Sequence, residues 1–138
     1  MKRVLLAGLA AVFAIVLVGM AAGFLFNVII PSLVPEYRNP SLFRSMNDPL
    51  MYTYILYPII VGFALAWLWN KTKGVWTGGN RAAKGIQFAR IIWVATSLPG
   101  ILMTFSMSPF SVTMCLTWLV SSFLQLVAAG LLYAAIDK

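Results

Sequence analysis

Residues 4–26 read VLLAGLAAVFAIVLVGMAAGFLF, a run with no charged and no strongly polar side chain. A helix needs about 20 such residues to cross the hydrocarbon of a bilayer. A secretory signal also has a basic start, supplied here by Lys2 and Arg3, and Gly19-Met20-Ala21 resembles a small-residue cleavage site. Signal cores run only about 7–15 apolar residues, however. The stretch is therefore read as a retained membrane helix over 4–27.

Working outward, the same reading applies three more times. Asp48-Pro49 has the form of a helix N-cap followed by a first-turn proline, which has no N–H to leave unbonded. The run it opens, 49–69, stops at Asn70-Lys71-Thr72-Lys73-Gly74. Asn80, after Thr77-Gly78-Gly79, caps a third helix over 82–107, whose first turn or two around Arg81 to Gly85 is wetted. Ser108-Pro109 predicts the start of a fourth helix over 109–136 and a tight hairpin with the third.

Composition agrees. The chain of 138 residues is 62% hydrophobic and 9% charged, against about 25% charged in a soluble domain. Too few polar groups exist to wet a globule. The expected fold is an all-α membrane protein, one domain over 1–138. Four transmembrane helices form an antiparallel bundle, with an outer loop at 28–48 and a cytoplasmic loop at 70–81.

Charge placement gives the orientation. Lys2, Arg3, Lys71, Lys73, Arg81, Lys84, Arg90 and Lys138 fall on one side of a four-span chain, and only Arg38 and Arg44 on the other. The positive-inside rule then puts both termini in the cytoplasm. In a prokaryote the membrane would be the cytoplasmic one. The net charge of +7 is spent on short clusters at helix ends, which suits headgroups and not the continuous basic face of a nucleic-acid binder. No nucleic-acid partner is expected.

Reactive groups are scarce. The chain has no histidine and one cysteine, Cys115, inside an apolar run. Intrachain disulfides and Cys/His metal sites are excluded. Cys115 reads as a small buried hydrophobe. The cysteine pairs of quinone-linked thiol oxidases are missing, as is the first-helix glutamate of small multidrug exporters. No Asp, Glu, Lys or His falls at mid-span, where ionisable groups mark proton and ion paths. No catalytic residue, metal or cofactor is expected, and bound lipids are.

The remaining candidates are contacts. Arg81, Lys84 and Arg90 are placed to meet anions or headgroups, Arg90 by snorkelling from the inner end of its span. Thr113, Thr117, Ser121 and Gln125 recur every four residues, and Ser97, Gly100 and Thr104 share a face of the preceding helix. These two stripes are expected to meet as a polar helix interface or cleft. Pro58 and Pro99 should bend their helices, leaving the carbonyls of Tyr54 and Ala95 without their usual donors. Gly19/Gly23, Gly62/Ala66 and Ala10/Ala14 have the spacing of close helix contacts. Tyr52, Tyr54 and Tyr57, and Trp67, Trp69 and Trp76, suit the two interfacial belts.

In the outer loop, Glu36 is expected to pair with Arg38 or Arg44. Tyr37, Arg38, Phe43 and Arg44 are candidates for docking a partner. Function is thus expected to be that of a non-catalytic accessory subunit contacting other membrane subunits or further copies of itself. A small transporter or channel for a neutral or apolar solute is one alternative. A lipid- or pigment-binding protein is another.

Overall fold

A computed structural model describes residues 2–137, so Met1 and Lys138, the latter counted above among the basic residues, lie outside it. Among the described residues the regular structure is helical throughout. Helix α1 runs Lys2–Ile29, and the short α2, Leu33–Tyr37, lies in the outer loop. A 3-10 segment Pro49–Ile55 leads into α3, Leu56–Thr72, which ends in a 3-10 turn, Lys73–Val75. The third run divides into α4, Arg81–Ile92, a π turn, Trp93–Ser97, and α5, Leu98–Met107. Helix α6 is Val112–Ile136. Four stretches are long and apolar enough to cross a membrane: Lys2–Ile29, Pro49–Val75, Arg81–Met107 and Val112–Ile136.

At about 1.5 Å per residue, the 28 residues of α1 reach roughly 42 Å, beyond the ~30 Å hydrocarbon layer. A helix of that length can cross with Lys2 and Arg3 in its first turn and still leave both outside the hydrocarbon. Leu17, Met20 and Phe24 are about two-thirds exposed, an inverted pattern that lipid rather than water accepts.

Two of the expected caps form. Asp48 accepts from the Leu50 amide at 2.9 Å, and Asn80 from the Ala83 amide at 2.8 Å. The start of α6 corrects the sequence reading. The cap-and-proline form that holds at Asp48-Pro49 does not hold at Ser108-Pro109: Ser108, at φ −131° and ψ 146°, closes α5, and α6 begins only at Val112. Ser111 is the cap, its hydroxyl accepting from the Met114 amide at 3.1 Å.

Helix α1 packs along both α3 and α6, and α4 packs along α6. These lines of contact are set by glycine. A Cβ on Gly62 would come 2.7 Å from a Val12 methyl and 3.0 Å from the Gly8 carbonyl oxygen. A Cβ on Gly85 would meet the Gly130 carbonyl carbon at 2.8 Å, and one on Gly130 would strike the Gly85 carbonyl in return. Dispersion between backbones in direct contact replaces the hydrophobic driving force that lipid removes. The core built on these crossings joins Ala7, Ala11 and Ile15 to Ala66, Trp69, Phe88, Ala129 and Tyr133. At its centre the Tyr133 hydroxyl donates to the Gly62 carbonyl at 2.9 Å.

Candidate functional site

The packing is uneven. Residues of α1, α3, α4 and α6 near the chain termini interlock, whereas neither the 3-10 segment Pro49–Ile55 nor α5 has a buried residue. Between α3 and the π turn the helices part. They leave a laterally open cleft of about 370 Å³ floored by Ile15 and Leu126. Tyr57, Ile60 and Leu65 form one wall, Thr96 and Ser97 the other, and Ser122 and Gln125 contribute polar atoms from α6.

The π turn shapes this cleft. Pro99 cannot donate to the Ala95 carbonyl, and the ladder widens just before it, the Leu98 amide donating back to the Trp93 carbonyl. Trp93 is fixed across the helix pair: its indole N–H is shared between the Leu119 carbonyl at 3.0 Å and the Ser122 hydroxyl at 3.2 Å. Its ring meets Phe123 edge-on at 5.4 Å. Wide turns of this kind are frequent at functional sites. The sequence signalled a bend through Pro99, but nothing in it signalled Trp93 as the tie.

The two polar stripes do not meet as expected. The Thr104 hydroxyl turns back on the Gly100 carbonyl at 2.9 Å, and Thr117 on Met114 at 2.8 Å. Thr113 is exposed. Gln125 donates to Ser121 at 3.0 Å within α6, and its amide lies over Gly19 of α1, 3.0 Å from where a Cβ would stand. Gln125 thus lies over α1, where glycine leaves room, and a tie to the third span is made by Trp93 with Ser122. Ser97 and Gln125 do share the cleft. The hydroxyls of Thr96 and Ser122 donate to Ile92 and Leu119 carbonyls, so what they offer a cleft occupant is acceptor lone pairs.

The outer loop folds back on α6. Glu36, expected to pair with Arg38 or Arg44, instead accepts from the Ser111 amide and hydroxyl, each at 2.7 Å. A carboxylate bonded at the amino end of a helix is favoured both by its free N–H groups and by its dipole. Tyr37 accepts from the Trp118 indole at 2.7 Å, and Tyr37, Phe43, Phe110 and Trp118 form one ring cluster. Partial burial pushes the Tyr37 hydroxyl above its ordinary range, an effect the Trp118 hydrogen bond partly offsets. Arg44 pairs with Asp48 at 3.0 Å, and Arg38 is exposed. Of the four docking candidates, Tyr37, Phe43 and Arg44 are therefore engaged within the chain.

At the opposite end, Arg81 and Lys84 line a second cleft together with Trp69, Lys73 and Asp137. Arg90, exposed on α4, lies apart from it. Cys115 is buried. Comparison with protein-family models, with curated proteins and with solved structures finds no match to the chain.

Proposed function

We propose that the chain is a non-catalytic accessory subunit of a larger integral membrane assembly. In this reading it is a four-span antiparallel bundle with both termini in the cytoplasm, surrounded by lipids and at least one other membrane chain. The observation that carries the proposal is the one-sided packing of the third span. Helix α4 is anchored on α6, yet α5 has no buried residue and stands beside an open cleft. Membrane helices associate through close fit, not through expulsion from water. A ten-residue helical segment left without a fitted neighbour is the natural contact face for a helix of another chain. The latched outer loop supports the same reading, because Glu36 and Ser111 hold a fixed surface where a mobile loop would stand.

A second reading is supported by the cleft itself. Ser97, Ser122, Gln125 and Tyr57 give an otherwise apolar recess a few polar contacts, which would suit a small channel or transporter for a neutral or apolar solute. One experiment separates the two. Native mass measurement after extraction in a mild detergent should show the chain with a co-purifying membrane protein or with further copies of itself. A stably folded lone monomer would count against the accessory role. If that monomer also carried solute flux in vesicles that Gln125→Leu abolished, the second reading would replace it.

A further inference from the structure

We infer that the mid-membrane cleft between α3 and the π turn binds the head of an uncharged, hydroxyl-bearing lipid. The ligand hydroxyl donates to the Gln125 amide oxygen and accepts from the Ser97 hydroxyl, while its apolar body fills the recess. The site is the cleft of the second reading above, taken as a resting place and not a path, and it rests on the membrane-spanning assignment.

The cleft exists because the bundle does not close. Helix α1 packs along α3 and α6, and α6 along α4, but α3 does not pack along the third span. All four spans still line the gap, with Ile15 from α1, Ile60 from α3, Ser97 from the π turn and Gln125 from α6. Ile15 and Leu126 are 3% and 8% exposed, so the floor is closed and the mouth opens sideways, toward lipid. The volume of about 370 Å³ falls in the range of about 300–1,000 Å³ usual for small-molecule sites.

Depth restricts what can enter. Gln125 is next to Leu124, the middle residue of Val112–Ile136, and Ser97 lies less than one turn beyond Val94, the middle of Arg81–Met107. Phospholipid headgroups sit at the edges of a hydrocarbon layer about 30 Å thick and do not reach this level. The lining contains no charged residue, so an ionised ligand would be buried there without a partner. The occupant is neutral and already dissolved in the bilayer.

Polar atoms then select its head. The other hydroxyls of the third span bond back to carbonyls four residues earlier: Thr96 to Ile92, Thr104 to Gly100 and Ser106 to Leu102. Ser97 does not. The carbonyl four residues before it, that of Trp93, receives the Leu98 amide across the π turn, and the Ser97 hydroxyl has no partner among the described residues. Gln125 donates to Ser121 at 3.0 Å, and its amide oxygen accepts nothing from the described residues. Polar groups left unpaired in hydrocarbon are costly. An acyl chain would fill the volume and leave both groups bare. A hydroxyl, at once donor and acceptor, matches the pair.

The test places the full chain, with any subunit that co-purifies, in phosphatidylcholine nanodiscs. Radiolabelled para-dodecylphenol, its methyl ether para-dodecylanisole, and para-dodecylbenzoate are titrated in, and retention is read against empty nanodiscs. The phenol should saturate at about one per chain. The ether has nearly the same shape without the donor and should bind about tenfold more weakly, the usual consequence of one lost hydrogen bond. The benzoate should bind no better than the ether. Gln125→Leu should bring the phenol down to the level of the ether, and Ser106→Ala, outside the cleft lining, should change nothing. Ala64→Phe narrows the cleft that Ala64 lines and should release both probes. Equal retention of phenol and ether by the wild type, or benzoate held as tightly as phenol, would overturn the hydroxyl assignment. Retention unchanged in Ala64→Phe would overturn the site. Should the Gln125 variant not fold, the wild-type ratio of phenol to ether decides together with Ala64→Phe. Solute flux is a separate readout. Retention without flux removes the second reading and keeps the site, whereas flux without retention removes the site.

Discussion

At the scale of single residues, the molecule gives its few ionised groups structural work at helix ends. Asp48 is the clearest case. Its carboxylate accepts from the Leu50 amide and from Arg44, and these bonds, the backbone one first, hold its carboxyl below the usual 3.8. A carboxyl with a depressed folded-state pKa stabilises the fold above its unfolded value and loses that contribution only as pH falls through the lower, folded one. The Leu50 amide should therefore still be protected from hydrogen exchange at the ordinary carboxyl value of 3.8 and become labile only at lower pH, as the folded carboxyl itself takes up a proton. Asparagine caps nearly as well as aspartate but does not titrate. Asp48→Asn should thus keep Leu50 protected with no pH step; a step of unchanged size in that variant would remove Asp48 as its cause. Such local roles were legible in the sequence, because a cap and its helix are neighbours along the chain. The partner of Glu36 was not. Ser111 lies 75 positions away, and proximity in sequence favoured Arg38 and Arg44, of which Arg44 pairs with Asp48 instead.

At the scale of elements, length and apolarity were enough to find four spans, and the Gly62/Ala66 spacing marked the face that meets α1, while the other contacts were not readable. The spacing of Gly19 with Gly23 suggested a contact face, yet a Cβ on Gly23 would meet nothing within 4 Å. The contact that matters between α4 and α6 joins Gly85 to Gly130, two residues on different helices that no period within one helix can pair. The π turn is hidden for the same reason. Pro99 announces a lost hydrogen bond, but the form of the bend also involves Trp93 and its acceptors on α6. The glycines give a graded test by unfolding in mixed micelles. Gly130→Ala forces two backbones apart and should lose about 1–3 kcal/mol, the usual consequence of overpacking. Gly19→Ala presses only on the flexible Gln125 amide, 3.0 Å away, and should lose less. Gly23→Ala should be neutral or gain up to about 1 kcal/mol, since alanine is the better helix former. If Gly130→Ala and Gly23→Ala are indistinguishable, the α4–α6 contact is misassigned.

At the scale of the whole molecule, the distribution of charge and of packing point the same way. Lys73, Arg81 and Lys84 gather at the end where Trp69, Phe88 and Tyr133 interlock, and the opposite end is closed by the outer loop through Glu36 and Trp118. Insertion machinery retains clusters of Lys and Arg in the cytoplasm, so the tightly packed basic end is expected to face inward. Arg38 and Arg44 belong to the other face, where Arg44 is already offset by Asp48. The consequence can be measured with single cysteines in a Cys115→Ser background, the native cysteine being buried. Ser41 and Gly79 are both exposed, and they sit in the two connections that the topology assigns to opposite faces. In intact cells a membrane-impermeant maleimide should label Ser41→Cys and not Gly79→Cys, with Gly79→Cys reacting only after permeabilisation. Labelling of both in sealed cells would deny that the span Pro49–Val75 carries the chain from one face to the other. The reverse pattern would keep the bundle but invert it, moving the cleft lined by Arg81 and Lys84 to the outer side and leaving the excess of Lys and Arg on the face where the positive-inside rule does not allow it.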